Sequence, residues 1–359
     1  MLRFVTIAVI CVAPAVAPGQ ETATERALLS RRDLGRLRTL DRAGVFHTLG
    51  SFDDRDLSDE TFTRKAVLLL DSQRVPGLAG ACAVGDWDLA LDAVYRACRA
   101  RAPAPTKLEM SQEKLAEAKG LLDNRFSFYD EEHQLPPVIN WDDNPGTKHW
   151  GHDLNRFTYL YPLAQAYQAT GDSRYGRKAA DLILDWIAKN DVSHCFRGSP
   201  YVWGSYLNNA IHCSRWSRCL QILMAHEQIT PIELLRVLKS LHDQLAYLEI
   251  VTNGHSGNWP TIGCSCMLST LVDLPILRDT DRFADYAART MTQQINDQVL
   301  PDGVQDELTP HYHRVVVHNL LTKVRALRAL DRELDSTLRS TLGKMVHNVQ
   351  QTTVHDGSK

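Results

Sequence analysis

The sequence predicts an all-α protein built from helical hairpins stacked in a ring or layered array. Three observations predict it. Apolar residues recur at steps of three and four from about Glu25 onward. Strand signals are sparse, with no strand–helix alternation. Breaker-rich loops separate the periodic stretches.

The elements follow in chain order. Met1-Leu2-Arg3 is a short positive start, Val5 to Val16 is rich in apolar residues, and small residues lead to Gln20. This is the grammar of a secretory signal over residues 1–20, which places the protein in the periplasm or outside the cell. The apolar run is about a dozen residues, short of the ~20 that cross a bilayer. A short membrane anchor is the alternative. No later segment is long and apolar enough to be a membrane span. A helical segment is expected over 21–105, with Arg101-Ala102-Pro103-Ala104-Pro105 as a hinge. The main body is expected over 106–345 and a polar tail over 346–359. Within the body, Tyr175, Ala179, Leu182, Ile183, Trp186 and Ile187 make one buried helix face. Thr230-Pro231-Ile232-Glu233 is a helix start with the makings of a capping box. Leu234, Leu238, Leu241, Leu245 and Leu248 form the stripe that follows it. Val317, Leu320, Val324, Leu327 and Leu330 form another, and Leu115, Ala118 and Leu122 a weaker one. Phe126 to Pro145 and Cys195 to Trp203 are long loops of the kind that carry function.

Composition limits the function. The 44% apolar and 23% charged content is that of a globular protein with a sizeable core. A net charge of -3 argues against a general nucleic-acid binder but leaves room for a local basic groove. Cys11 lies in the signal, leaving Cys82, Cys98, Cys195, Cys213, Cys219, Cys264 and Cys266, an odd set in a disulfide-permissive compartment. Cys82 with Cys98 is a plausible local bridge. Cys264 and Cys266 read as buried small residues rather than metal ligands. His311 and His313 suit a metal only on an extended segment, and no His-Glu-x-x-His pattern, nucleophile elbow or phosphate loop occurs. No metal or cofactor is expected.

Three clusters carry candidate chemistry. The first is Trp150 to Arg156. The second is Tyr201-Val202-Trp203 with Asn208, Asn209 and His212. The densest is Asn253-Gly254-His255-Ser256-Gly257-Asn258-Trp259 with Asp302-Gly303-Val304, Glu307 and His311-Tyr312-His313. Rings beside Asn, His and Arg suit a sugar, whose apolar faces stack and whose hydroxyls and carboxylates need directional donors. Each such Trp or His taken alone is more often a core residue.

The runs Asn155-Arg156, Tyr159, Leu163 to Tyr167, Thr170-Gly171-Asp172 and Tyr175, with the third cluster, resemble the heparinase II/III-like polysaccharide lyases from about Trp141 to Leu330. The resemblance implies an incomplete (α/α) toroid lacking the family's C-terminal β-sandwich, which is then missing or separately encoded. It implies β-elimination on an acidic, uronic-acid-containing polysaccharide such as heparan sulfate. It matches Asn258 to the family's carboxylate-binding Asn and Tyr312 to its catalytic Tyr. The substrate-binding candidates are Asn155, Arg156, Trp203, His212, His255, Trp259, Glu307 and His313. The chemistry asks for the same types: donors for the charge that grows at the carboxylate, and a base at C5 supported by cations such as Arg314 and the flanking His311 and His313. One departure stands out: where the family carries Glu and Arg after Trp203, this chain has Asn208 and His212. A sugar-binding or degenerate toroid is the alternative. A toroid glycoside hydrolase using Asp302, Asp306 or Glu307 is a lower one, since that chemistry wants two flanking carboxylates.

Overall fold

The computed structural model describes residues 37, 39–104, 108–147, 149–192, 200–334 and 336–352. The expected export signal, Pro105 of the expected hinge, Cys195 and the last seven residues lie outside them. Among the described residues four short helices come first: α1 (Arg42–Thr48), α2 (Asp59–Ala66), α3 (Leu78–Val84) and α4 (Trp87–Arg99). Asp41, Ser58 and Asp86 cap α1, α2 and α4 by accepting backbone N–H groups, as short polar side chains do at helix starts. Helix α5 (Gln112–Leu122) follows, capped by Ser111.

The loop expected from Phe126 to Pro145 holds a small antiparallel hairpin, β1 (Arg125–Phe128) and β2 (Glu131–Gln134), with Phe126 opposite His133. Phe126 alone of its strand is fully buried, and Phe128 and His133 pack edge-on against Trp150 beside it, so several rings fasten the hairpin to the core. The chain continues through α6 (Trp150–Arg156), α7 (Leu160–Thr170), α8 (Ser173–Lys189), α9 (Tyr206–Ala225), α10 (Pro231–Val251), α11 (Asn258–Asp273), α12 (Thr280–Gln298), α13 (Pro310–Ala329) and α14 (Ser336–Thr352).

Helices α7, α9, α11 and α13 pack side by side as one layer, and α8, α10 and α12 form a second layer outside it. Each hairpin therefore lends one helix to each layer, the arrangement of an (α/α) toroid. Helix α10 shows why. Thr230 and Glu233 close the capping box, Pro231 takes the first turn, and Leu234, Leu238, Leu241, Leu245 and Leu248 are all fully buried. None of the described helices is long and apolar enough to cross a membrane.

The N-terminal helices share the toroid's core across the expected 105/106 boundary. Phe46 and Phe62 belong to the same buried cluster as Leu234 and Leu271. Lys239 reaches Asp54 at 3.1 Å and Arg236 reaches Asp59 at 2.7 Å. At the other end α14 passes through the expected 345/346 boundary, with Met345 fully buried. Cys82 and Cys98 are separate thiols rather than a bridge. Cys98 lies eleven residues beyond Trp87, the start of α4, on the order of 16 Å from the α3–α4 turn and outside the ~7 Å Cα reach of a disulfide. Burial pushes its thiol up to about 12. Cys264 is fully buried and Cys266 half-buried.

Candidate active site

The site begins at the start of α11. Gly257, the residue before the helix, has no side chain with which to cap it and adopts φ +66°. A Cβ there would stand 3.1 Å from Glu307 Oε1, so glycine serves both the turn and the approach of that carboxylate. Glu307 then performs the capping from a distant loop. Its Oε1 accepts from the Asn258 backbone N–H at 3.1 Å and from Asn258 Nδ2 at 3.2 Å. An anion at a helix N terminus is favourable. One amide N–H of Asn258 is committed to Glu307, which fixes the side chain and leaves the second N–H to point elsewhere.

Glu307 sits at the end of a tight loop. Asp306 N–H returns to Gln298 O at 2.8 Å, and Leu300 N–H to Val304 O at 2.8 Å. Thr309 next caps α13 by accepting from the Tyr312 backbone N–H at 3.2 Å, and Pro310 takes the first helical position. Tyr312 therefore stands in the first turn of α13, 41% exposed, with the His311 ring 5.3 Å from its own. His313 turns inward. Its Nδ1 accepts from Gln305 N–H at 3.3 Å and its Nε2 meets Met345 O at 3.1 Å, so it ties the loop to α14.

Two more groups complete the rim. Tyr206, first residue of α9, stacks on His255 at 4.2 Å between ring centroids, and His255 lies 5.4 Å from the exposed Trp259 ring. Gly263 makes this possible, because a Cβ there would fall 1.7 Å from the Tyr206 hydroxyl. The N termini of α9, α11 and α13 thus meet at one edge, and three aligned helix dipoles favour an anion there. Beside them, Asn208 Oδ1 accepts from Arg156 Nε at 3.0 Å, and Asn208 Nδ2 lies 3.0 Å from His152 Nδ1 and donates to Tyr201 O at 2.7 Å. Burial, then the Arg156 charge, lowers the pKa of His152. That suits a ring whose Nδ1 accepts from an amide.

The structure brings together Asn258, Glu307, His255 and Trp259, and seats Arg156 beside Asn208. It moves three expected substrate contacts into the core. Asn155 is fully buried, donating to Trp141 O and Gly151 O and accepting from Trp186 Nε1. Trp203 is buried and donates to Asn190 O at 2.8 Å. His212 is fully buried, stacks 4.7 Å above Trp216 and has its pKa lowered by burial to about 4. These residues support the rim from beneath, and His313 likewise serves as a tie. Glu307 bonds Asn258 itself. Tyr206 is not marked by the sequence, because a lone aromatic at a helix start carries no signal of its own. Among the described residues no three His, Cys, Asp or Glu side chains converge as a metal-ligand set.

Fold and rim together define a helical toroid domain with an anion-favouring edge lined by rings and amides. The chain belongs to the heparinase II/III family: residues 89–357 match its N-terminal domain, described as Heparinase II/III N-terminus. A heparin-sulfate lyase of Pedobacter heparinus is 25% identical over 213 residues, 58% of this chain and 32% of that one. A heparin-sulfate lyase of Bacteroides thetaiotaomicron is 21% identical over 247 residues, 65% of this chain and 35% of that one. The crystal structure of a heparan sulfate lyase from Pedobacter heparinus superposes with a TM-score of 0.70 at 21% identity, covering 81% of this chain and 48% of that one. The chain thus spans about a third of these curated relatives and about half of the solved structure.

Proposed function

We propose that this chain is the toroid of an exported polysaccharide lyase that cleaves a uronic-acid-containing polymer of the heparan sulfate type by β-elimination. The observation that carries the reading is the juxtaposition of Asn258, held by Glu307 at the N terminus of α11, with the Tyr312-bearing N terminus of α13. The names of the relatives support the substrate class, and the Met1–Gln20 pattern supports export.

In this reading the free N–H of Asn258 donates to the uronate carboxylate, where negative charge grows as the C5 proton leaves. Tyr312, as phenolate, takes that proton. The C4–C5 double bond forms as the C4–O bond breaks, and the phenol returns its proton to the leaving oxygen. Trp259 and His255 present ring faces to the sugar. The second reading, a sugar-binding toroid without turnover, is favoured by one observation: the Tyr312 hydroxyl meets no cation or other hydrogen-bond partner among the described residues.

The test uses the protein expressed from its full reading frame, with heparan sulfate, hyaluronan, chondroitin and alginate side by side. Elimination produces the ultraviolet absorbance of a 4,5-unsaturated uronate, while binding or hydrolysis does not. Tyr312→Phe is expected to lower that rate by about 10²-fold or more and to leave polymer affinity nearly unchanged. Undiminished turnover by Tyr312→Phe removes Tyr312 from the mechanism. Binding with no absorbance from the unaltered protein selects the second reading.

A further inference from the structure

We infer that Arg215, with Arg156, forms a second oxyanion subsite on the inner layer, below the Asn258 rim, which takes another carboxylate or sulfate of the same bound polymer. The inference rests on the acidic-polysaccharide reading above and extends it to residues outside the reacting centre.

Arg215 is set apart by what it lacks. Every other half-buried arginine of the described residues, from Arg42 and Arg74 to Arg282 and Arg332, has a carboxylate at ion-pair distance. Arg215 is half-buried in α9 and, among the described residues, has neither an ion pair nor a hydrogen bond from its guanidinium. A guanidinium out of water and without a counter-charge is costly. Burial lowers its pKa; the Cys266 thiol and the Asp153 charge oppose that lowering, and the Arg156 charge adds to it. Asp153 already faces Arg156 at 3.6 Å. One carboxylate thus serves two guanidinium groups, and one positive charge is left over.

The location suits a polymer. Arg215 follows Asn208 by seven residues, so the two share a face of α9 about 10 Å apart along its axis. Asn208 holds Arg156. Cys266 follows Asn258 by eight residues and shares its face of α11, about 12 Å from it. Both strips run from the rim into the same flank of the inner layer, where α9 packs against α11. A chain anchored by one carboxylate at Asn258 would offer its next acidic group along this strip. The planar fork of Arg215 is suited to bind such a group with two parallel N–H bonds, which a point charge does not provide.

The experiment measures affinity for heparan sulfate and for unsulfated hyaluronan by titration calorimetry on the unaltered chain, Arg215→Gln and Arg215→Lys. Arg215→Gln is expected to weaken heparan sulfate binding by about tenfold or more, and Arg215→Lys to recover only part of it. A loss confined to heparan sulfate assigns the subsite to sulfate, and an equal loss on both polymers assigns it to a carboxylate. Folded variants that bind both polymers as tightly as the unaltered chain overturn the subsite and leave the lyase reading standing. If Arg215→Gln does not fold, Arg215→Lys decides alone: several-fold weaker binding supports the fork, and equal affinity overturns it. An unaltered chain that binds neither polymer overturns the acidic-polysaccharide reading and the subsite with it.

Discussion

At the scale of the residue, Glu307 fixes the start of α11 and the Asn258 side chain together. Its carboxylate receives the backbone and side-chain N–H groups of Asn258 and an N–H of Gln305 Nε2 at 3.2 Å. Glu307→Ala is expected to release the Asn258 amide and the start of α11 together. A misplacement of about 1 Å costs on the order of 10²-fold in rate, so elimination should fall by at least about tenfold. The lost cap should lower stability by about 1 kcal/mol. Glu307→Gln keeps one acceptor oxygen and should lie between. Kinetics with a urea titration on each variant check both effects; a rise in KM with kcat and stability unchanged would instead make Glu307 a direct substrate contact. The same scale explains what the sequence hid. Asn155, Trp203 and His212 are the residue types of a sugar site, yet they form a hydrogen-bonded aromatic core with Trp186 and Trp216. Composition marks such a cluster, but only packing decides which helix face looks outward.

At the scale of the element, much was legible because the controlling contacts are local. The Thr230–Glu233 box, the leucine stripe of α10 and the buried face of α8 all sit within a few residues of the pattern that announces them. The β1–β2 hairpin was not, since four-residue strands with a single buried ring give too short an alternation. The cap on α11 was not either, because its acceptor lies 49 residues away in sequence. These cases predict different responses to mutation. Thr230→Ala removes a local cap, in which Thr230 accepts from Glu233 N–H at 3.4 Å and Glu233 accepts from Thr230 N–H at 2.9 Å. It is expected to cost about 1 kcal/mol, read as a lower urea midpoint at unchanged slope, with no effect on polymer binding. A changed binding constant would mean that α10 communicates with the rim, against the local character of the cap.

At the scale of the whole molecule, a largely buried chain of charges joins the N-terminal segment to α10 and α12 of the outer layer, and no local pattern foretold it. Lys239 on α10 meets Asp54 at 3.1 Å and Asp243 at 2.9 Å, and it lies over the Phe46 ring at 4.5 Å. His242 meets Asp279 at 3.1 Å and has Asp243 at 3.9 Å. Asp279 also faces Arg282 at 3.0 Å and Arg278 at 3.5 Å, and Arg282 reaches Glu249 at 2.6 Å. Burial alone would lower the pKa of His242, but the Asp243 and Asp279 carboxylates outweigh it and raise it. Burial alone would raise Asp243 and Asp279, but the cations around them hold both below the usual carboxylate range. The signs are opposite in their consequences for stability. The two aspartates contribute above their ordinary values near 4, and that contribution fades as pH falls through their lowered ones. His242 contributes fully below its ordinary value of 6.5, and that contribution is lost as pH rises through the raised one. Stability should therefore be greatest in mildly acidic solution and decline on both sides. In His242→Gln the alkaline decline above about pH 6.5 should flatten, while the acid limb persists because Lys239 and Arg282 still face the aspartates. Melting temperatures across pH for the two proteins provide the check. An alkaline limb as steep in His242→Gln as in the unaltered chain would show that another group governs it and that the His242–Asp279 contact contributes nothing across this range.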